Sequence, residues 1–399
     1  MSDSSKKNTF DLTSALDQRK NNHLFRQRRS LESAQGVDVL IDGKNYINFC
    51  SNDYLGLSNH PDVVKAFQSA ANNFGVGSGA SHLVCGHSVL HHQLEEELAD
   101  FTGRDKALLF SSGYMANLGV INALLGKNDY IFEDKLNHAS LIDGGLLSGA
   151  RFQRFLHNDM ESLQARLQKY AHEKKLVVVD GVFSMDGDLA PLDKLSVLAE
   201  KNNAWLMVDD AHGFGVLGES GAGSAEYFSV DQNQLPILMC TLGKALGTFG
   251  AFVAGSEELI ETLIQFSRTY IYTTALPPAV AAASLASLKI IREDTDRREK
   301  LKKVIKTFKA GVKNIGLNIA PSDTAIQPIV IGDSRVALQM SQALEEKGFL
   351  VSAIRPPTVP TKTARLRVTL SASHNDHQIE QLLLALAEVA DSSVGGVDT

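Results

Sequence analysis

Between residues 106 and 244 the chain repeats one alternation. The stretches "KALLF", "DYIFED", "LVVVD", "AWLMVDD" and "PILMCTLGK" are short apolar runs, and "GYMANLGVINALL", "HASLIDGGLLSG" and "PLDKLSVLAEKNN" between them carry helical spacing. Runs this short and apolar read as strands buried on both faces. Strands alternating with helices build a largely parallel sheet covered on both sides. In such sheets ligands sit beyond the carboxyl ends of the strands, so the polar residues that close these runs carry the information about function.

Three of those ends hold unusual groups. "LMVDDAHGFG" closes a strand with Asp209, Asp210 and His212, and "CTLGK" closes another with Thr241 and Lys244. "LLFSSGYMANLG" passes from strand to helix through Ser111, Ser112 and Gly113. Unpaired backbone N–H groups at a helix start suit a phosphate, and glycine lets it approach closely. Neighbouring strand side chains face opposite ways, so Asp210 is expected to point away from Asp209. Lys244 lies in the glycine-rich "TLGKALGTFGAFVAG", a poor place for a solubilising charge. An amine, a carboxylate, an imidazole and a phosphate cradle are the set that pyridoxal phosphate uses: a lysine for the Schiff base and an acid beside the pyridine nitrogen. By spacing alone the set is suggestive only.

Around this core, "FDLTSALDQRKNNHLFRQRR" reads as an amphipathic helix with Leu12, Leu16 and Leu24 on one face and Arg26, Arg28 and Arg29 at its end. Short strands follow around an Asp-Gly turn, and "NFGVGSGASHLVCG" reads as a loop. "HSVLHHQLEEELADFTG" is a helix ending at Gly103. From about Asp294 a long charged helix, short strands and a closing helix indicate a smaller α+β unit. The expected division is 1–55 as an N-terminal helix and strands, 56–293 as the large α/β domain, and 294–399 as the small domain. Of the histidines in "HSVLHH", His87 and His91 stand an i, i+4 pair apart. With His92 they are read as a solvated helix face, and no metal is expected. The net charge of −7 gives no reason to expect nucleic acid or an anionic membrane as partner. Three scattered cysteines without a C-x-x-C pair, and an N-terminus lacking a signal's apolar core, fit a cytoplasmic protein.

The stretches "FCSNDYLGLSNHP", "FGVGSGASHLV", "FSSGYMANLG", "NHASLIDG", "GVFSMDGDLAPL", "MVDDAHGFGVLG", "TLGKALG" and "IRPPTVP" resemble the α-oxoamine synthase family of fold-type-I pyridoxal-phosphate enzymes, over nearly all of residues 10–385. The resemblance implies a large, mostly parallel sheet domain plus a small α+β domain, of the aspartate aminotransferase type. It implies Lys244 as the Schiff-base lysine and Asp209 as the partner of the pyridine nitrogen. His212 and Ser184 match partners of the phenolic oxygen, and His138 matches the ring stacked on the pyridine. Gly113, Tyr114 and Thr241 match the phosphate site, with Thr273 and Thr274 reaching the phosphate across a homodimer interface. Asn52 and Arg367 match contacts to an amino-acid carboxylate, with His138 beside them, and Arg26 and Thr358 match contacts to the acyl substrate. The implied reaction is decarboxylative condensation of L-alanine with a pimeloyl thioester, on CoA or acyl carrier protein, to 8-amino-7-oxononanoate. Other members use glycine with acetyl-CoA, and an aminotransferase is a more remote alternative. "ASHLVCG" departs from a commoner Arg and Ser, which leaves acyl-chain preference open.

Overall fold

A computed structural model describes residues 10–21, 24–170 and 174–394. Its centre is a seven-stranded sheet in the order Lys106–Phe110, Ala251–Gly255, Ile237–Thr241, Trp205–Asp209, Lys175–Asp180, Tyr130–Asp134, Arg151–Phe155. Neighbours run parallel except for Ala251–Gly255, which is antiparallel to both of its neighbours. The alternation in the sequence therefore yields the expected sheet. The additions are the antiparallel strand, which folds straight back after Lys244, and the edge strand Arg151–Phe155. Alternate residues enter two separate cores: Val177, Val179, Leu206 and Val208 pack on one face, and Leu176, Val178 and Met207 on the other. A central strand buried on both faces has no polar side to expose, which is why these runs are uniformly apolar.

The small unit is built on an antiparallel sheet in the order Ile326–Gly332, Ala364–Thr369, Ser352–Ile354. A third sheet joins the chain's two ends: Asp38–Ile41 and Lys44–Asn48 form a hairpin, and Lys44–Asn48 pairs in parallel with Phe349–Leu350. Asp42 and Gly43 both take positive φ, 49° and 73°, the backbone that a tight two-residue hairpin turn demands. Residues 38–48 thus pack with the C-terminal part.

Two local expectations are corrected. Among the described residues the N-terminal helix is Leu12–Asn21, residues 24–30 are irregular, and Leu12 and Leu16 are exposed at 68% and 51%. Its apolar spacing finds no surface to cover within one chain, so periodicity does not become packing. The glycine-rich stretch contains a π-helical turn, His82–Gly86, ahead of the helix Val89–Thr102. That helix ends as expected at Gly103, in the left-handed conformation. No helix among the described residues is long and apolar enough to cross a membrane.

Behind the strand ends His157 ties two segments together. Its Nδ1 is 3.0 Å from Asp134 and its Nε2 2.8 Å from Asp188. Burial alone lowers the imidazole pKa, but the bonds and charges of the two carboxylates outweigh it and push it up to about 10. A raised folded pKa means that the stabilisation is complete below the unfolded value of 6.5 and is lost as pH rises through about 10. The change His157→Gln should therefore cost about 2 kcal/mol near neutral pH. In paired thermal melts the gap from wild type should close above that pH; a gap that stays constant would contradict the pairing.

Candidate active site

The carboxyl ends of the sheet strands converge on Lys244. Its strand ends at Thr241, and a tight glycine turn carries the lysine back over the sheet edge. Lys244 Nζ lies 2.9 Å from His212 Nε2, and His212 Nδ1 lies 2.5 Å from the Tyr54 hydroxyl. The Tyr54 hydroxyl donates to Asn52 Oδ1 at 3.3 Å, and Arg367 Nη2 donates to the same oxygen at 3.3 Å. An ammonium has only protons to give, so His212 Nε2 accepts, Nδ1 carries the ring proton, and Tyr54 passes its own to Asn52. The network assigns one tautomer and runs without a break from the amine to a guanidinium.

Burial lowers Lys244 to about 8, partly opposed by the charges of Asp209 and Asp180. Burial also holds His212 well below its ordinary pKa, helped by Lys244 and Arg367, so the ring is neutral. Tyr54 is pushed up to about 12 by burial and keeps its proton. The site thus holds an amine whose pKa is brought down toward neutrality, beside a neutral imidazole that accepts its hydrogen bond.

Asp209 is 4% exposed. Its Oδ2 accepts from Asn117 Nδ2 at 2.7 Å and its Oδ1 from the Ala211 N–H at 3.0 Å. Asn117 also donates to Ser140 Oγ at 2.8 Å, and Ser140 Oγ lies 2.7 Å from His138 Nδ1. Helices Gly113–Leu124 and Ala139–Leu147 therefore orient the carboxylate and the histidine together. Among the described residues Asp209 forms no ion pair: it is a buried carboxylate with spare lone pairs and no cation in contact. Asp180 sits beside it in register, and its backbone partner is the His138 N–H at 2.7 Å. Burial, then the charge of Asp209, raises Asp180 well above the usual carboxylate range. Burial lowers His138.

Asp210 points the other way, as strand geometry requires. Its Oδ2 accepts the Ser224 N–H at 2.7 Å, and a Cβ on Gly213 would stand 2.2 Å from its Oδ1. Burial pushes it up to about 7.

The remaining expected residues divide into two groups. Gly113 opens its helix against Thr241, where a Cβ would come within 2.8 Å of the threonine methyl. Ser112 caps that helix through the Met115 N–H at 3.2 Å. Ser111 Oγ reaches the Thr274 carbonyl at 3.4 Å, which brings Thr273 and Thr274 to the same lip. Arg367, 7% exposed, also donates to the Ser184 carbonyl at 2.7 Å and to Thr369 Oγ1 at 2.9 Å. It makes no ion pair among the described residues, whereas its strand neighbour Arg365 pairs with Asp186. Farther out, Tyr114 is exposed and turns its hydroxyl to Asp143. His138 is exposed, and its Nδ1 caps its own helix through the Ser140 N–H at 3.3 Å. Arg26 and Thr358 are both exposed, the first in an irregular segment and the second in a turn on the Arg355 carbonyl. Neither is drawn to the cluster by a side-chain bond. Tyr54, Asn117, Ser140 and Asp180 belong to the cluster and were not singled out by sequence reasoning. Tyr54 had a signal, since it stands in "SNDYLGL" beside Asn52.

The profile of the family described as aminotransferase class I and II matches residues 44–386. An 8-amino-7-oxononanoate synthase of Cellvibrio japonicus (strain Ueda107) is 60% identical over 382 residues, covering 96% of both chains. Among solved structures, a serine palmitoyltransferase from S. paucimobilis with a bound adduct of PLP and myriocin superposes with a TM-score of 0.91 at 32% identity, over 96% of this chain and 97% of that one. An 8-amino-7-oxononanoate synthase from Francisella tularensis gives 0.77 at 34% identity, over 88% and 99%.

Proposed function

The chain belongs to the class I and II aminotransferase family, on the branch of the 8-amino-7-oxononanoate synthases, and on that footing we propose how its residues divide the work. The activity is condensation of L-alanine with a pimeloyl thioester, with loss of CO2 and thiol, and it depends on pyridoxal phosphate. The observation that carries the division is the unbroken chain Lys244–His212–Tyr54–Asn52–Arg367, which sets a proton-accepting amine and a carboxylate-binding cation at its two ends.

The residues fit the cofactor on two counts. Asp209 is a buried carboxylate with no cation of its own, as a protonated pyridine nitrogen needs. Gly113 stands where any side chain would strike Thr241, so the helix start stays bare for a phosphate, with Ser111, Ser112 and Thr241 as hydroxyls around it. When bound, pyridoxal phosphate supplies an electron sink for the charge left at the amino-acid α-carbon.

Every other step falls to the chain. Lys244 is the residue that would hold the cofactor covalently, and its amine would be free for proton transfer once substrate is bound. Arg367 keeps two N–H groups beyond its three bonds within the chain and grips the alanine carboxylate with them. Lys244 Nζ takes the α-proton and keeps it, its new N–H held by His212 Nε2, 2.9 Å away. The protonated Lys244 then presents an N–H to the oxygen that develops as the thioester carbonyl is attacked, while His212, held at Nδ1 by Tyr54, fixes the amine in place. Asn117 and Ser140 fix Asp209 and His138, and His138 would cover the pyridine. We place Ser184 at the phenolic oxygen, and Arg26 and Thr358 on the acyl chain, where movement has to bring them in. The functional unit is a homodimer in a cytoplasmic setting, with Thr273 and Thr274 completing the partner's phosphate site, and the acyl carrier is CoA or acyl carrier protein.

Thiol release should occur with L-alanine and pimeloyl-CoA and not with glycine and acetyl-CoA. Turnover only with the glycine pair would overturn the substrate assignment. In Arg367→Ala the KM for alanine should rise roughly 10- to 100-fold, equivalent to the loss of a charge-assisted bidentate contact, with a smaller change in kcat. A fall in kcat at unchanged KM would mean that Arg367 only supports the Ser184 loop.

A further inference from the structure

The histidines that spacing placed on one solvated helix face have three different environments. His91 is 0% exposed: its Nδ1 accepts the Ser88 N–H at 2.9 Å, and its Nε2 is 2.7 Å from the Leu276 carbonyl. Both nitrogens are committed to the fold. His82, stacked on Tyr270, puts its Nδ1 2.9 Å from His87 Nδ1. Two lone pairs cannot face each other at that distance, so one ring carries its proton there. With the proton on His87, its Nε2 is left as a lone pair facing outward.

That lone pair meets a carboxylate. Glu95 Oε2 lies 3.9 Å from His87 Nε2, while Glu95 Oε1 accepts the Leu109 N–H at 2.9 Å. Glu95 is mostly buried and makes no pair with a lysine or arginine among the described residues. His92 is one helical turn before Glu95 and 65% exposed by side chain, 3.4 Å from the exposed Glu96. The ligand atoms of His87, His92 and Glu95 lie within 4.8 Å of one another. Bonds of about 2.0–2.2 Å to a tetrahedral zinc ion place ligand atoms roughly 3.3–3.6 Å apart, so a small rotation of the exposed His92 closes the set.

We propose that His87 Nε2, His92 Nε2 and Glu95 Oε2, which line one solvent-open groove, bind one divalent transition ion of the zinc type, with water as the fourth ligand. Two imidazoles and one carboxylate with an open position suit such an ion better than calcium or magnesium, which take oxygen ligands. The His82–His87 bond is the outer-shell contact that fixes the tautomer of a ligating histidine. The ion's role is structural. It staples the π-helical turn His82–Gly86 to the helix Val89–Thr102, and the turn begins next to Ser81, which bridges to Thr274 at the edge of the proposed phosphate lip.

The test is calorimetric titration of chelator-treated holoenzyme with zinc chloride, beside thermal melts with and without the ion. Wild type should bind one equivalent and melt higher with zinc. Binding should weaken at least tenfold in both His92→Ala, which alters an exposed residue only, and Glu95→Gln, which keeps the Leu109 contact. Cobalt substitution should give the intense visible bands of a four-coordinate site. No uptake by wild type, or undiminished uptake in His92→Ala, would overturn the proposal.

Discussion

Replacing Lys244 with alanine should lower turnover by at least the ~10²–10⁴-fold that a positioned proton-transfer group contributes, because in the proposed division of work the same amine also anchors the cofactor. The protein should still fold: Lys244 opens a turn through its backbone carbonyl, its side chain bonds only to His212 among the described residues, and it carries none of the core. The base that takes the α-proton would be lost, so an added small amine should restore part of the rate, more at higher pH where it is neutral. In the cofactor-free protein the lysine should also stand out chemically. Burial sets its pKa at about 8, below the ordinary 10.5, so an amine reagent such as trinitrobenzenesulfonate should label it at a pH where other lysines remain protonated. The labelling rate should level off above about 8. A Lys244→Ala enzyme with normal turnover would refute the assignment outright.

The second large effect should come from Asp209→Asn. The amide can accept from Ala211 N or from Asn117 Nδ2 with its one oxygen, and its NH2 then faces the other donor. A buried donor left without a partner costs about 1–3 kcal/mol. The lost negative charge matters more, since without it the pyridine nitrogen has no reason to stay protonated. Together these should reduce kcat by roughly 10²–10³-fold, equivalent to about 3–4 kcal/mol, and weaken cofactor retention on dialysis. Asp209→Glu keeps the charge in the wrong place and should recover retention better than turnover. Equal kcat in Asp209→Asn and wild type would remove Asp209 from the mechanism.

What could be read from the sequence follows from where the information lies. Lys244, Asp209 and His212 stand at or just beyond strand ends of a buried parallel sheet, which makes them candidates, and the family resemblance assigns their roles. Asp210 could be assigned to the opposite face because side chains alternate along a strand. Tyr54 and Asn117 could not be found that way: Tyr54 meets His212 across 158 residues and Asn117 meets Asp209 across 92. Such contacts depend on how helices pack and not on any local pattern. His91 shows the opposite error. Its spacing resembles a surface pair, yet its ring caps a helix from inside. The strand Ala251–Gly255 is as apolar as its neighbours, and periodicity says nothing of direction; the short turn after Lys244, which leaves no room for a crossover helix, is what makes it antiparallel.

The central claim is that Lys244 carries the cofactor at the focus of the strand ends. Reduction of the holoenzyme with borohydride, followed by proteolysis and mass spectrometry, locates the covalent attachment directly. The account predicts a pyridoxyl group on the peptide containing Lys244 and on no other lysine. Modification of a different lysine, with Lys244 recovered unmodified, would contradict it.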